Sequence, residues 1–208
     1  KLNKEFSHIL KRWNTRVPEQ EKYSHSFHGV IVSDVKRTDK SIDFFKNEGP
    51  GTKALEEILV CFALELPDTG YIQGMCDLVA TLMLLFIKEI NQDSMTLYDG
   101  KQIPFIEGES FIFWAFYGLL CITGHDKLFM DMESNRSFVA ERVFALIQTN
   151  APSEARWITQ CEHESLIFTL SPFILLFGRC FDYSDLLVLW DRLLSNEDPV
   201  SYIRFLLA

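Results

Sequence analysis

No unbroken apolar run in this sequence reaches the roughly 20 residues that span a bilayer. The longest runs, 78–87, 111–123 and 166–178, read instead as buried helices. No Cys-x-x-Cys pair is present, so a structural zinc site has no support. The five cysteines, at 61, 76, 121, 161 and 180, are odd in number and widely spaced. That argues for buried reduced thiols in a cytosolic protein rather than a disulfide framework. Positive charge is also short: 20 Lys and Arg stand against 29 Asp and Glu, a net charge of −9. A nucleic-acid surface must neutralise phosphates, and anionic lipid attracts basic clusters, so both partners are disfavoured. Glycine (10) and proline (7) are too scarce in 208 residues for a collagen or a flexible linker protein. No signal peptide is legible at Lys1.

The common catalytic motifs are missing as well. There is no G-x-x-x-x-G-K-[ST], no G-x-S-x-G and no H-E-x-x-H. Gly49-Pro50-Gly51 lacks the third glycine of a dinucleotide fingerprint. His163-Glu164 has no second histidine at helical spacing, and His8, His25 and His28 lie in polar stretches that suit solvated residues better than metal ligands. No nucleophile–base pair is legible.

What is there is apolar and periodic. The chain is 48% hydrophobic and 13% aromatic, enough for a sizeable core. Leu2, Phe6, Ile9, Leu10 and Trp13 recur at helical spacing, as do Leu55, Ile58, Leu59, Phe62 and Leu66. Phe138, Val139, Val143, Phe144 and Ile147 form a third stripe, and Leu186, Leu187, Leu189, Trp190 and Leu193 a fourth. Such stripes mark helices with one buried face. We read no Asn-Gly or Asp-Gly as joining two alternating strands. The expectation is an all-α protein of roughly ten or more helices joined by short connections. Breaks fall at Pro18, 49–51, 67–70, 91–108, Gly124, 150–152 and 195–199. The stretch 91–108 reads as a flexible loop. Gly124 suggests a boundary between two lobes, 1–124 and 125–208.

Two polar segments interrupt this pattern. In Ile31-Val32-Ser33-Asp34-Val35-Lys36-Arg37-Thr38-Asp39, Ile31 and Val35 can face a core while Asp34 and Arg37 lie three apart on the other face. Alone, that is an ordinary surface ion pair worth a few tenths of a kcal/mol. In Gly70-Tyr71-Ile72-Gln73-Gly74-Met75-Cys76-Asp77-Leu78, a turn at 67–70 delivers the chain into a long apolar helix. Tyr71 and Gln73 are expected at that helix's start. Gly74 removes a side chain beside Gln73, so another molecule's backbone could approach. Alone, this is a helix N-terminus whose free N–H groups meet Gln73 or Asp77.

Together the two segments resemble the signature motifs of the TBC domain, the GTPase-activating domain for Rab-family small GTPases. The first motif, I-x-x-D-x-x-R-T, is met by Ile31, Asp34, Arg37 and Thr38. The second, Y-x-Q-G-M-x-D-L, is met by Tyr71, Gln73, Gly74, Met75, Asp77 and Leu78. A looser third pattern resembles Phe177-Gly178-Arg179-Cys180-Phe181 followed by Leu189-Trp190-Asp191, and Phe113-Trp114 is similar to the family's Phe-Trp pair on a central helix. Arg37-Thr38-Asp39 with Phe44-Phe45 is similar to one subgroup of the family. Thr81 stands where the family usually has Pro, a departure that touches the path of one helix. The resemblance covers nearly the whole chain. It implies a two-lobed fold lacking the family's first and last helices, since Leu207-Ala208 cuts through an apolar helix.

The resemblance also implies a dual-finger mechanism acting on a GTP-bound Rab, and so a role in vesicle trafficking. Such chemistry needs charge stabilisation on the phosphates and an oriented water. Arg37 suits the first task, because its guanidinium is always charged and presents a planar fork of donors. Gln73 suits the second, because its amide accepts from the water and donates elsewhere. Asp34 would hold Arg37. Thr38, Tyr71, Gly74 and Asp77 would shape and support the site, while Arg179, Trp190 and Asp191 would be structural. The chain would act on no substrate of its own and carry no cofactor or metal, since GTP and Mg²⁺ belong to the GTPase. A cytoplasmic location is expected, with any attachment to endomembranes arising from regions outside this chain. The alternative is a catalytically silent TBC-fold scaffold that binds a GTPase or another protein.

Overall fold

The computed structural model describes residues 2–16, 27–38, 42–163 and 166–208. Pro18, His25, Asp39 and Glu164 lie outside the described residues. Eleven α-helices run through the described chain, with one small sheet. The all-α expectation holds. The chain forms two compact units, 1–118 and 119–208.

The first unit holds α1 (Leu2–Arg16), α2 (His28–Arg37), a 3₁₀ turn (Asp43–Glu48), α3 (Pro50–Glu65) and α4 (Met75–Phe86). Three strands follow: β1 (Ile87–Ile90), β2 (Ser94–Leu97) and β3 (Gln102–Pro104). Most of α5 (Phe105–Thr123) then closes the unit. Helix α3 is central: α1, α2 and α4 all pack on it. Pro50 opens α3 where its missing N–H costs nothing. Gly51 lets α3 meet the 3₁₀ turn, because a Cβ there would stand 2.3 Å from the Phe44 carbonyl oxygen. Phe62 of α3 meets Phe116 of α5 at 4.8 Å between ring centres, and Phe6 of α1 meets Phe113 at 5.5 Å. These rings are buried, and burial of this kind contributes roughly 1.5–3 kcal/mol per side chain.

The segment 91–108 corrects the sequence reading. It is not a flexible loop, because β1, β2 and β3 pair antiparallel within 87–104. Asp99-Gly100 does join two strands: Gly100 takes φ 83°, its N–H donates to Leu97 O, and the Leu97 N–H donates to Lys101 O. Met95 and Ile103 stand opposite each other in register and both are buried. The strands are only 3–4 residues long, so their period-2 signal barely repeats.

Helix α5 starts before the apolar run 111–123. It is long and apolar enough to cross a membrane by length and composition, with a mean hydropathy of 1.4 over an 18-residue window. Glu107 and Glu109 break the uninterrupted run but not the helix.

The second unit holds the end of α5, then α6 (His125–Met130), α7 (Met132–Asn150), α8 (Pro152–Gln160), α9 (Leu170–Ile174), α10 (Tyr183–Leu194) and α11 (Pro199–Leu207). Asp131 and Asp198 cap α7 and α11, each accepting from a backbone N–H three residues on. The apolar run 166–178 is not one buried helix. It breaks into a 3₁₀ turn at Ile167–Thr169, the short α9 and further turns. Trp190 is 2% exposed, and its indole N–H donates to the Leu176 carbonyl at 2.8 Å, which takes up an acceptor freed by that break. The structural role expected of Trp190 is what the fold displays.

The thiols divide. Cys61 and Cys76 are buried, while Cys121, Cys161 and Cys180 are exposed, against the expectation of burial. His28 is also buried rather than solvated, with its Nε2 2.9 Å from Glu56 Oε1.

Candidate functional site

The two polar segments of the sequence meet in the first unit. Helix α2 buries Ile31, Val32 and Val35 and turns Val30, Ser33, Lys36 and Arg37 outward. Arg37 is its last residue, and 61% of its side chain is exposed. Thr38 leaves the helix in an extended conformation (φ −56°, ψ 144°). The Arg37 side chain is therefore rooted in regular backbone and reaches into solvent.

Asp34 does not lie on a solvated face. It is 7% exposed, and both its carboxylate oxygens are taken. Arg37 Nη2 donates to Oδ1, and the Tyr71 hydroxyl donates to Oδ2 at 2.7 Å. A buried carboxylate is costly unless it is paired, and charge-assisted bonds of this kind are among the stronger ones. The same contact marks Tyr71: burial, and next the bond to Asp34, push its phenol well above the usual tyrosine range. The hydroxyl stays protonated and stays a donor.

The second segment reverses the chain between α3 and α4. The N–H of Gly70 donates to Leu66 O at 2.7 Å, and Gly70 takes φ 61°. Gln73 and Gly74 form a turn, and Gly74 takes φ 106° immediately before α4. That φ disfavours any residue with a Cβ. Gln73 is exposed on this turn, and Met75 beyond it is fully buried. The helix starts at Met75, so Tyr71 and Gln73 precede it rather than forming its first turn. Backbone bonds hold the turn, from the Met75 N–H to Ile72 O and from the Asp77 N–H to Gly74 O.

The sequence-predicted residues come together as follows. Asp34, Arg37, Thr38 and Tyr71 share one hydrogen-bonded cluster, and Gln73 and Gly74 sit on the turn after Tyr71. Asp77 lies in the first turn of α4, where its carbonyl accepts from Thr81 Oγ1 at 2.9 Å. The helix runs without a break through Thr81, which keeps the backbone N–H that a proline at this position would lack. Arg179 and Asp191 belong to the second unit.

One contact was missed by the sequence reading. Cys76 Sγ lies 3.2 Å from Thr38 Oγ1, with both residues buried. The outward face of α2, with Val30 43% exposed beside Ser33, Lys36 and Arg37, was missed too. Its signal was present, since these residues recur at three and four positions along a helix. Among the described residues, no group of three or more His, Cys, Asp or Glu side chains is arranged to hold a metal ion.

Comparison with known proteins shows the family and the fold. Human TBC1 domain family member 17 is 25% identical over 197 residues, covering 93% of this chain and 27% of that protein. The GTPase-activating protein GYP7 of Candida glabrata is 22% identical over 237 residues, covering all of this chain and 28% of that protein. The chain thus spans little more than a quarter of the length of these curated relatives. The crystal structure of the Ypt/Rab-GAP domain of Gyp1p shares the fold, with a TM-score of 0.77 at 19% identity, over 98% of this chain and 64% of that one. The family model described as RabGAP-TBC, Rab-GTPase-TBC domain, matches residues 1–208, and the chain belongs to that family.

Proposed function

We propose that this chain accelerates GTP hydrolysis by a Rab-family small GTPase in its GTP-bound form, with Arg37 as an arginine finger and Gln73 as a glutamine finger, both supplied in trans. The observation that carries this reading is the state of Arg37: its side chain is largely exposed, yet it is tied to a buried carboxylate that Tyr71 also holds. A guanidinium oriented in advance loses less freedom on entering a phosphate site. Family membership and the activity named for GYP7 support the choice of partner.

The GTPase brings the nucleotide and Mg²⁺. Arg37 donates to the phosphate oxygens on which charge develops, and Asp34 releases it or follows it into place. Gln73 accepts from the attacking water through its amide oxygen, needing no shifted pKa. Gly74 leaves room for the GTPase backbone beside Gln73. The outward residues of α2 provide adjoining contact surface. In the cell this activity would end GTP-dependent signals in vesicle trafficking, from the cytoplasm.

The test is single-turnover GTP hydrolysis by a panel of Rab GTPases, with this chain and with Arg37→Ala. At least one Rab should be accelerated, and the variant should lose about 10³-fold or more. That loss corresponds to at least ~4 kcal/mol of transition-state stabilisation. Full activity in Arg37→Ala would remove the arginine finger from the mechanism. A folded chain that binds a Rab but accelerates none would be the silent scaffold.

A further inference from the structure

Two hydrogen bonds join the two motif segments. Asp34 Oδ2 accepts from the Tyr71 hydroxyl at 2.7 Å. Cys76 Sγ meets Thr38 Oγ1 at 3.2 Å, and Thr38 Oγ1 donates back to the Asp34 carbonyl at 3.4 Å. With the threonine hydroxyl spent on Asp34 O, the thiol hydrogen is the one directed at Thr38 Oγ1. Asp34, Thr38, Tyr71 and Cys76 thus form one connected cluster, which Cys76 enters through its side chain.

The cluster matters because of what flanks it. Arg37 lies between Asp34 and Thr38, and Gln73 lies between Tyr71 and Cys76. Both residues are exposed, whereas Asp34, Thr38 and Cys76 are 7%, 6% and 3% exposed. The cluster therefore ties the segment that carries one exposed residue to the segment that carries the other. The second motif leaves the position of Cys76 open, so the family pattern assigns it nothing.

We propose that Cys76 is a positioning residue for the two-finger reaction, joining the end of α2 to the start of α4 through Thr38 and so fixing the spacing of Arg37 and Gln73. This rests on the function proposed above. Cys76 touches no substrate. Its thiol is a weak donor, but the alternative is a buried threonine oxygen with one fewer partner. A small misplacement of catalytic groups costs rate steeply, while binding spread over a wide contact surface barely changes.

The experiment is single-turnover hydrolysis by the most strongly accelerated Rab, over a range of chain concentrations, for wild type, Cys76→Ala, Cys76→Ser, Thr38→Val and the Cys76→Ala/Thr38→Val pair. Cys76→Ala should lower the saturating rate about tenfold and leave the half-saturating concentration within about twofold. Cys76→Ser keeps a donor and should stay within about threefold of wild type. Thr38→Val keeps the shape and loses the hydroxyl, so it should match Cys76→Ala, and the pair should lose no more than either alone. Thr38→Val also serves if Cys76→Ala fails to fold. An unchanged saturating rate in Cys76→Ala, a loss in Cys76→Ser as large as in Cys76→Ala, or additive losses in the pair would each overturn the role. A wild-type chain that accelerates no Rab would overturn the function itself, and with it this role. A wild-type chain that works, beside variants that work equally well, overturns the role alone.

Discussion

The two units turn their corners by different means. In the first, each described residue with a left-handed φ is a glycine: Gly70, Gly74 and Gly100. In the second, Gly124 is joined by Glu162, Leu166, Leu176 and Phe177, with φ between 45° and 64°. A residue with a Cβ held there costs about 1–2 kcal/mol. Leu166, Leu176 and Phe177 are 1%, 0% and 7% exposed, so burial offsets that strain. Glu162 is exposed and has no such compensation. The contrast separates two tasks. The corner beside Gln73, the residue proposed as the glutamine finger, is made without strain and without a side chain of its own. A corner that serves only its core is held by large apolar groups.

The largest expected effect tests whether function resides in the first unit alone. Arg37→Ala should remove at least about 10³-fold of the stimulated rate while leaving the thermal midpoint close to wild type. A large fall in the midpoint would show that the exposed guanidinium is structural. Next comes Leu176→Gly. It relieves about 1 kcal/mol of strain but leaves a cavity where a buried leucine was, so a net destabilisation of about 2–4 kcal/mol is expected in denaturant melts. A stabilised variant would mean that strain, not packing, governs that corner. Gly74→Ala is the counterpart in the first unit. It should cost about 1–2 kcal/mol in the same melts and lower the stimulated rate, because it tilts the turn that carries Gln73.

A separate effect concerns a buried acid. Glu109 of α5 is 1% exposed, and burial, followed by its hydrogen bond to Glu57, pushes its carboxyl up to about 10. Lys53 opposes that rise, and the same surroundings push the Cys61 thiol up as well. The folded protein therefore keeps a proton that the unfolded chain gives up near pH 4.5. Stability falls as pH rises from that point toward 10, by at most about 1.4 kcal/mol per pH unit. Glu109→Gln should flatten this slope in thermal melts between pH 6 and 9. An unchanged slope would mean that Glu109 is ionised in the fold.

Several features of the fold were legible in advance because they repeat. The stripes on α1, α3, α7 and α10 carry period 3.6 over about two turns or more, and each is a helix. The sheet was not legible, because strands of 3–4 residues offer too few alternations, although Asp99-Gly100 was a usable turn signal. The run 166–178 misled for the opposite reason. It is apolar throughout, so no period distinguishes a helix from a set of buried turns, and Pro172 was the one local hint of a break. His28 looked solvated by its neighbours, yet Glu56, 28 residues away, holds it in a buried pair.

The candidate site divides along the same line. The sequence alone determined which residue types stand at which spacing: a fork of donors three residues after a carboxylate, and an amide beside a glycine. These are local patterns, and the proposed chemistry rests on them. Only the tertiary structure decided that Asp34 is buried, that Tyr71 rather than solvent takes its second oxygen, and that Cys76 meets Thr38. Those contacts span 37 and 38 residues of chain. No local pattern encodes them, because they exist only once α2 and α4 have packed in the same unit.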